Sequence, residues 1–288
     1  MAYLMHICFD NSSVLNKNVY YFQYNGIRYK LIQNNSSKWS DVLLTIIPTN
    51  NKQREDEAFQ AASDFFSSLA WQHDSMLKLW DSGGKGVPDN YSLRNAKSCV
   101  FDFHKISLAG HYLGGRNLFP IPEIENDDQR TALLLYREAN SSNNLYLSFL
   151  FYWQIMETGG TEAIGWINKT FRKNSISKQI TKDEINCLPL KGKTLGNYFN
   201  DDCRNAIAHI KRKTKGKTSI KLDNPEDMTR IAISTRIIKK FARTYINKHL
   251  NLNKRLYLAR RGKGFPTIVK YEDLLTKPYS IIHEKSSY

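Results

Sequence analysis

Residues 195–210 read Leu-Gly-Asn-Tyr-Phe-Asn-Asp-Asp-Cys-Arg-Asn-Ala-Ile-Ala-His-Ile. At 100° per residue, Leu195, Phe199, Cys203, Ala206, Ile207 and Ile210 gather on one side of a helix. That is the core-facing stripe of an amphipathic helix. Arg204 and His209 fall on opposite edges of the other side, with Asn205 between them and the small Ala208 beside it. A cation, an amide and an imidazole therefore share an outward arc. Arginine offers a fixed fork of donors to phosphate oxygens. Histidine carries the side chain whose ordinary pKa lies nearest working pH.

Working outward, the surroundings are helical. Residues 128–139 and 145–157 predict two helices interrupted by Ser141-Ser142-Asn143-Asn144. The second, with Leu145, Phe149, Tyr152, Trp153 and Met156 on one face, is apolar nearly all round and is expected to be central and buried. Glu157 closes it, either as a solvated helix-end charge or as a buried acid that orients Arg204. A short helix over 161–170 and a lysine-rich loop precede residues 195–210. The run Lys211, Arg212, Lys213, Lys215, Lys217 follows them and cannot be core. Asp223-Asn224-Pro225 marks the start of a helix over 226–248.

The first part differs. Residues 3–9, 19–24, 27–33, 41–47 and 98–103 predict strands, with Asn25-Gly26 as a hairpin turn. Phe59, Ala62, Phe66, Leu69, His73, Leu77 and Trp80 keep helical spacing, so a helix is expected over 54–80, ended by Gly83-Gly84. His73 reads as a structural histidine on that stripe. The segment 104–126 reads as a loop-rich linker. The expected organisation is an α+β domain over 1–125, an all-α helical domain over 126–250, and a basic C-terminal tail over 251–288.

The chain has 288 residues, is 41% hydrophobic and carries a formal charge of +15. It can build a core, and its surface is electropositive, which favours nucleic acid as a partner. Cys8, Cys99, Cys187 and Cys203 are widely spaced and show no zinc pattern. No apolar run is long enough to cross a membrane, and the first residues lack the features of a signal peptide, so a cytoplasmic protein without membrane partners is expected. Gly-Lys-Thr at 192–194 and 216–218 lacks the upstream glycine of a phosphate loop, with Cys187 and Lys211 in its place. His104 and His111 have no third ligand in view. No metal and no cofactor is expected.

Arg204-Asn205-Ala206-Ile207-Ala208-His209 resembles the signature of the HEPN superfamily: Arg, a polar residue, three residues, His. Leu135-Tyr136-Arg137-Glu138-Ala139, the aromatic helix ending at Glu157, and Asn224-Pro225-Glu226-Asp227 resemble more narrowly the methylamine-utilisation protein J-like HEPN proteins, over residues 127 to about 250. The resemblance implies a HEPN-like helical bundle. It also implies metal-independent RNA cleavage by a homodimer packed through helix 195–210, with two copies of Arg204 and His209 in one groove. Arg204, Asn205 and His209 would then be catalytic and Glu157 supporting. Lys211, Arg212, Lys213, Lys215 and Lys217 would bind RNA without sequence choice. Such an endoribonuclease would act as a toxin or defence effector under an antitoxin or regulatory partner. The alternative is a non-catalytic HEPN module that binds RNA, nucleotide or a partner protein.

Overall fold

The computed structural model describes residues 3–11, 19–32, 41–47, 52–86, 119–173, 176, 180–208, 220 and 224–282. The expected strand over 98–103, His104 and His111 lie outside them. The chain forms two units, Met1–Ile124 with Asn253–Tyr288, and Glu125–Leu252.

Among the described residues the first unit is a sheet whose inner face packs on one long helix, with a short second helix, Tyr271–Thr276, between its last two strands. Its strands are β1 (Tyr3–Asn11), β2 (Val19–Tyr24), β3 (Ile27–Ile32), β4 (Asp41–Ile47), β5 (Leu77–Gly86), β6 (Ile121–Pro122), β7 (Arg255–Arg261), β8 (Thr267–Lys270) and β9 (Tyr279–Ile281). Among the described residues the order is β5-β1-β4-β3-β2-β8-β7-β6, with β9 on β7. Alternation in β2 sends Tyr20, Phe22 and Tyr24 to one face, where they are buried, and leaves Tyr21 half-exposed on the other. Helix α1 (Lys52–His73) covers the inner face with Ala58, Ala62, Phe65, Phe66 and Leu69. The Phe22 and Phe65 rings are 4.7 Å apart, and burying each contributes about 1.5–3 kcal/mol. Tyr29 anchors the helix by donating to the Ala58 carbonyl at 3.0 Å.

Helix α1 is shorter than its spacing predicts. It stops at His73, where Asp74 takes a left-handed conformation (φ 50°) and Ser75 N donates to the Ala70 carbonyl. Leu77 and Trp80, which continue the helical spacing, instead belong to β5, paired antiparallel with β1. The expected tail over 251–288 also differs. Residues 255–281 supply three strands of the first unit's sheet. Leu256 and Leu258 alternate with Arg255 and Tyr257, and so enter the core beside α1.

The second unit is helical: α2 (Asp127–Ser141), α3 (Leu145–Ile155), α4 (Ala163–Arg172), α5 (Lys182–Asn186), α6 (Leu195–Tyr198), a π-helical segment (Phe199–Arg204), α7 (Asn205–Ala208) and α8 (Pro225–Lys248). Side chains define the starts. Asn126 caps α2, Asn144 caps α3, Thr181 and Glu184 form a capping box on α5, and Asn224 caps α8 with Pro225 in its first turn. The core joins Phe149 and Trp153 of α3 to Ile231, Ile238, Phe241 and Tyr245 of α8. Helix α3 is not wholly buried, as Leu145 and Leu147 are 41% and 46% exposed. An apolar sequence can bury only the faces that its neighbours cover. No helix among the described residues is long and apolar enough to cross a membrane.

Candidate functional site

The stretch 195–208 is helical but not one regular α-helix. Steps of four residues, Leu195 to Phe199 to Cys203 to Ile207, drift about 40° each on an α-helix. Between Phe199 and Arg204 the turn widens, and Asn205 N donates to the Asn200 carbonyl, five residues back. Each residue of a wider turn advances less, so the drift is removed. All four side chains are buried. Arg204 and Asn205 sit where this widened turn returns to α-helix, both partly exposed, and Ala208 is exposed.

Arg204 Nη1 donates to Asn205 Oδ1 at 2.9 Å, which ties the guanidinium to its neighbour. His209, Lys211, Arg212, Lys213, Lys215 and Lys217 lie outside the described residues. Glu157 is exposed and accepts a hydrogen bond from Trp153 Nε1 at 2.6 Å. It is thus a solvated helix-end charge bound to its own helix, and not a buried acid orienting Arg204. Among the described residues no group of three His, Cys, Asp or Glu is placed to hold a metal.

Residues outside the motif fix the widened turn. Lys193 Nζ contacts Asp202 Oδ2 at 2.7 Å and Asp201 Oδ2 at 3.5 Å, and the Asp202 hydrogen bond raises the Lys193 pKa. Arg230 of α8 donates through Nη1 to the Asp202 carbonyl at 2.9 Å, while its Nε pairs with Asp227 at 2.7 Å. Arg230 lies outside the residues that the sequence motif marks. Its signal is the Asp227-x-x-Arg230 pairing on one helix face. Phe199 packs edge-on against Phe149, with ring centroids 5.9 Å apart.

Gly196 seats the front of the stretch. A Cβ there would come within 2.6 Å of the Ile164 carbonyl and 3.0 Å of Asn168 Oδ1, which accepts from Gly196 N. Gly196→Ala is expected to lower stability by about 1–3 kcal/mol through this backbone clash. A thermal melt of the variant against the parent measures it.

Cys203 faces Ser234 Oγ at 3.6 Å, and burial pushes its thiol from 9.0 up to about 11. It is therefore a protonated packing group and not a nucleophile. The unfolded chain loses this proton near 9, whereas the folded chain holds it to about 11. The thiol's contribution to stability is thus complete below pH 9 and lost as pH rises through 11. Melting temperature is expected to fall across that window, and less steeply in Cys203→Ala.

A cavity of about 570 Å³ opens beside the widened turn, lined in part by Cys187, Tyr198, Asp202, Asp227 and Arg230. The buried Tyr198 hydroxyl and Arg230 Nη2 influence each other's protonation but have no partner in hydrogen-bonding geometry among the described residues. Burial pushes the Tyr198 pKa up to about 12.

The sequence model of the family described as methylamine utilization protein MauJ matches residues 132–247, all within the helical unit. Comparison with curated proteins and with solved structures gives no match.

Proposed function

We propose that the helical unit is a HEPN-like module that cleaves RNA without a metal ion, as a homodimer whose two copies of residues 195–210 face one groove. The reading is carried by the Arg204–Asn205 pair, held at 2.9 Å at the end of the widened turn, inside the region matched by the MauJ family model. His209 follows Asn205 by four residues.

RNA carries its own nucleophile. His209 takes the proton from the 2′-OH, O2′ attacks phosphorus, and the P–O5′ bond breaks. The partner's His209 returns a proton to O5′. The products are a 2′,3′-cyclic phosphate and a 5′-hydroxyl end. Arg204 binds the scissile phosphate and opposes the charge that grows on it. Asn205 holds the guanidinium, and the exposed Ala208 lets a second helix approach. Lys211, Arg212, Lys213, Lys215 and Lys217 add affinity for the phosphate chain. Such an enzyme acts in the cytoplasm as a toxin or defence effector, held in check by an antitoxin or regulatory partner.

The test is incubation of RNA with the full chain and with His209→Ala in excess chelator. Cleavage that leaves cyclic-phosphate ends and disappears in the variant is expected. Cleavage that requires added magnesium, or persists in His209→Ala, overturns the mechanism.

The cavity beside Tyr198 and Arg230 favours a second reading, a non-catalytic module that binds a nucleotide. It predicts calorimetric binding of a mononucleotide that weakens in Tyr198→Phe, with no cleavage of RNA.

A further inference from the structure

The sheet of the first unit has α1 on its inner face, and its outer face over β2 and β3 has an unusual composition. Outward positions there hold Tyr21 and Gln23, paired across the strands with Lys30 and Arg28. Tyr21 is 50% exposed and adds nothing to the core, which Tyr20, Phe22 and Tyr24 fill from the other face. Lys30 Nζ lies over the Tyr21 ring, 5.5 Å from its centroid. Next to it, Gln23 N donates to the Pro266 carbonyl and Gln23 pairs with Thr267. This brings Phe265 against β3, where the Arg28 guanidinium lies 5.1 Å from its ring centroid. Two aromatic rings, each with its own cation, are thus carried by neighbouring positions of the sheet.

The outward positions of the strands around these rings carry one sign of charge. By alternation and register, β3 and β7 turn Arg28, Lys30, the partly buried Arg255 and Arg261 to this face, and β2, β3, β7 and β8 contain no Asp or Glu. Arg260 and Lys270, the latter paired with Glu123, fall instead on the face of Leu256, Leu258 and Ile268. An outward sheet face of a soluble domain ordinarily mixes both signs. Cations joined to one exposed ring, Tyr21, and one partly exposed ring, Phe265, are what a flexible polyanion with flat bases requires. The bases stack on the rings and the cations move onto phosphates.

We propose that this face, centred on Tyr21, Lys30, Arg28 and Phe265, binds single-stranded nucleic acid. It gives the first unit a role of its own, to hold a strand by stacking and charge without reading its sequence. The site stands independently of the cleavage reading. Binding is measured on 2′-O-methyl RNA and on DNA, both of which lack the 2′-OH nucleophile, so failure of binding and failure of cleavage are read separately.

The experiment is fluorescence anisotropy of short labelled oligonucleotides with the full chain. RNA and DNA arms decide which sugar is preferred, and a duplex arm tests for stacking. Tyr21→Ala and Phe265→Ala are each expected to weaken single-strand binding by about 5- to 150-fold. Tyr21→Phe keeps the ring and is expected to keep the affinity. Lys30→Ala is expected to flatten the slope of log K against log salt by about 0.7. Thermal melts confirm folding, and Phe265→Ala, in a loop, tests stacking independently of any strand effect. The proposal is overturned if the parent binds no single strand, if it binds duplex equally well, or if the Tyr21→Ala/Phe265→Ala double variant binds as the parent does. Binding that persists in the double variant and vanishes in Lys211→Ala/Lys213→Ala belongs to the helical unit and also overturns it. Equal binding of polyglutamate, indifferent to Tyr21→Ala, would assign the face to an acidic protein partner instead.

Discussion

On the proposed mechanism, Arg204→Ala is expected to slow metal-independent RNA cleavage by about 10²–10³-fold while leaving the fold intact, because it would remove a donor aimed at charge that develops only in the transition state. The side chain is partly exposed and bonds its own neighbour, Asn205, so its loss from the folded state amounts to about 1 kcal/mol or less. Arg204→Lys separates charge from shape. A lysine keeps the charge but cannot hold Asn205 and a phosphate with one planar fork, so recovery is expected to be partial. Single-turnover cleavage in excess chelator gives the rate, and a thermal melt verifies the fold. A variant that cuts at the parental rate removes Arg204 from the mechanism.

The second large effect lies on α8. Arg230→Ala removes both the ion pair with Asp227 and the donor to the Asp202 carbonyl. Both side chains of that pair are largely buried, at 11% and 18% exposure, so a largely buried carboxylate loses this cation. The expected loss is about 2–4 kcal/mol, short of the full value for a wholly buried pair. The corresponding fall in melting temperature is roughly 5–15 °C. On the proposed mechanism Arg230 would act through position, since the Asp202 carbonyl belongs to the widened turn that carries Arg204. At a temperature where the variant is folded, cleavage should fall while RNA affinity changes little. A parallel loss of both would make Arg230 a stability residue alone.

The sequence and the structure agree where local chemistry decides the outcome. Asn224-Pro225 starts α8, and Asn25-Gly26 turns β2 into β3, because capping and turn preferences act within a few residues. The buried stripe Leu195, Phe199, Cys203, Ala206, Ile207 is likewise legible. The widened turn is not, because the Arg230 guanidinium that bonds the Asp202 carbonyl within it comes from α8, distant in sequence. The end of α1 misleads for another reason. Leu77 and Trp80 fit a helical period, yet antiparallel pairing with β1, interrupted by two register shifts, satisfies the backbone of β5 instead. In residues 255–261 the cations mask a two-residue alternation that Leu256 and Leu258 display. For Glu157, spacing puts the acid at a helix end, but only packing assigns it to Trp153.

The sheet also sets a timetable for synthesis. Ile121 pairs with Leu256, and Glu123 N donates to the Lys254 carbonyl, so the two sides of one ladder are separated in the chain by the whole helical unit. At about 5–20 residues per second a ribosome needs roughly 7–26 s to make the intervening stretch of about 130 residues. Until then, β2 has no β8 beside it and α1 lacks Leu256, Leu258 and Ile268 beneath it. The nascent first unit must wait with an open edge and an incomplete core, while the helical unit, contiguous in sequence, has all its residues at hand. On the ribosome the second unit is therefore the first able to finish folding, and the basic C-terminal strands close the sheet last.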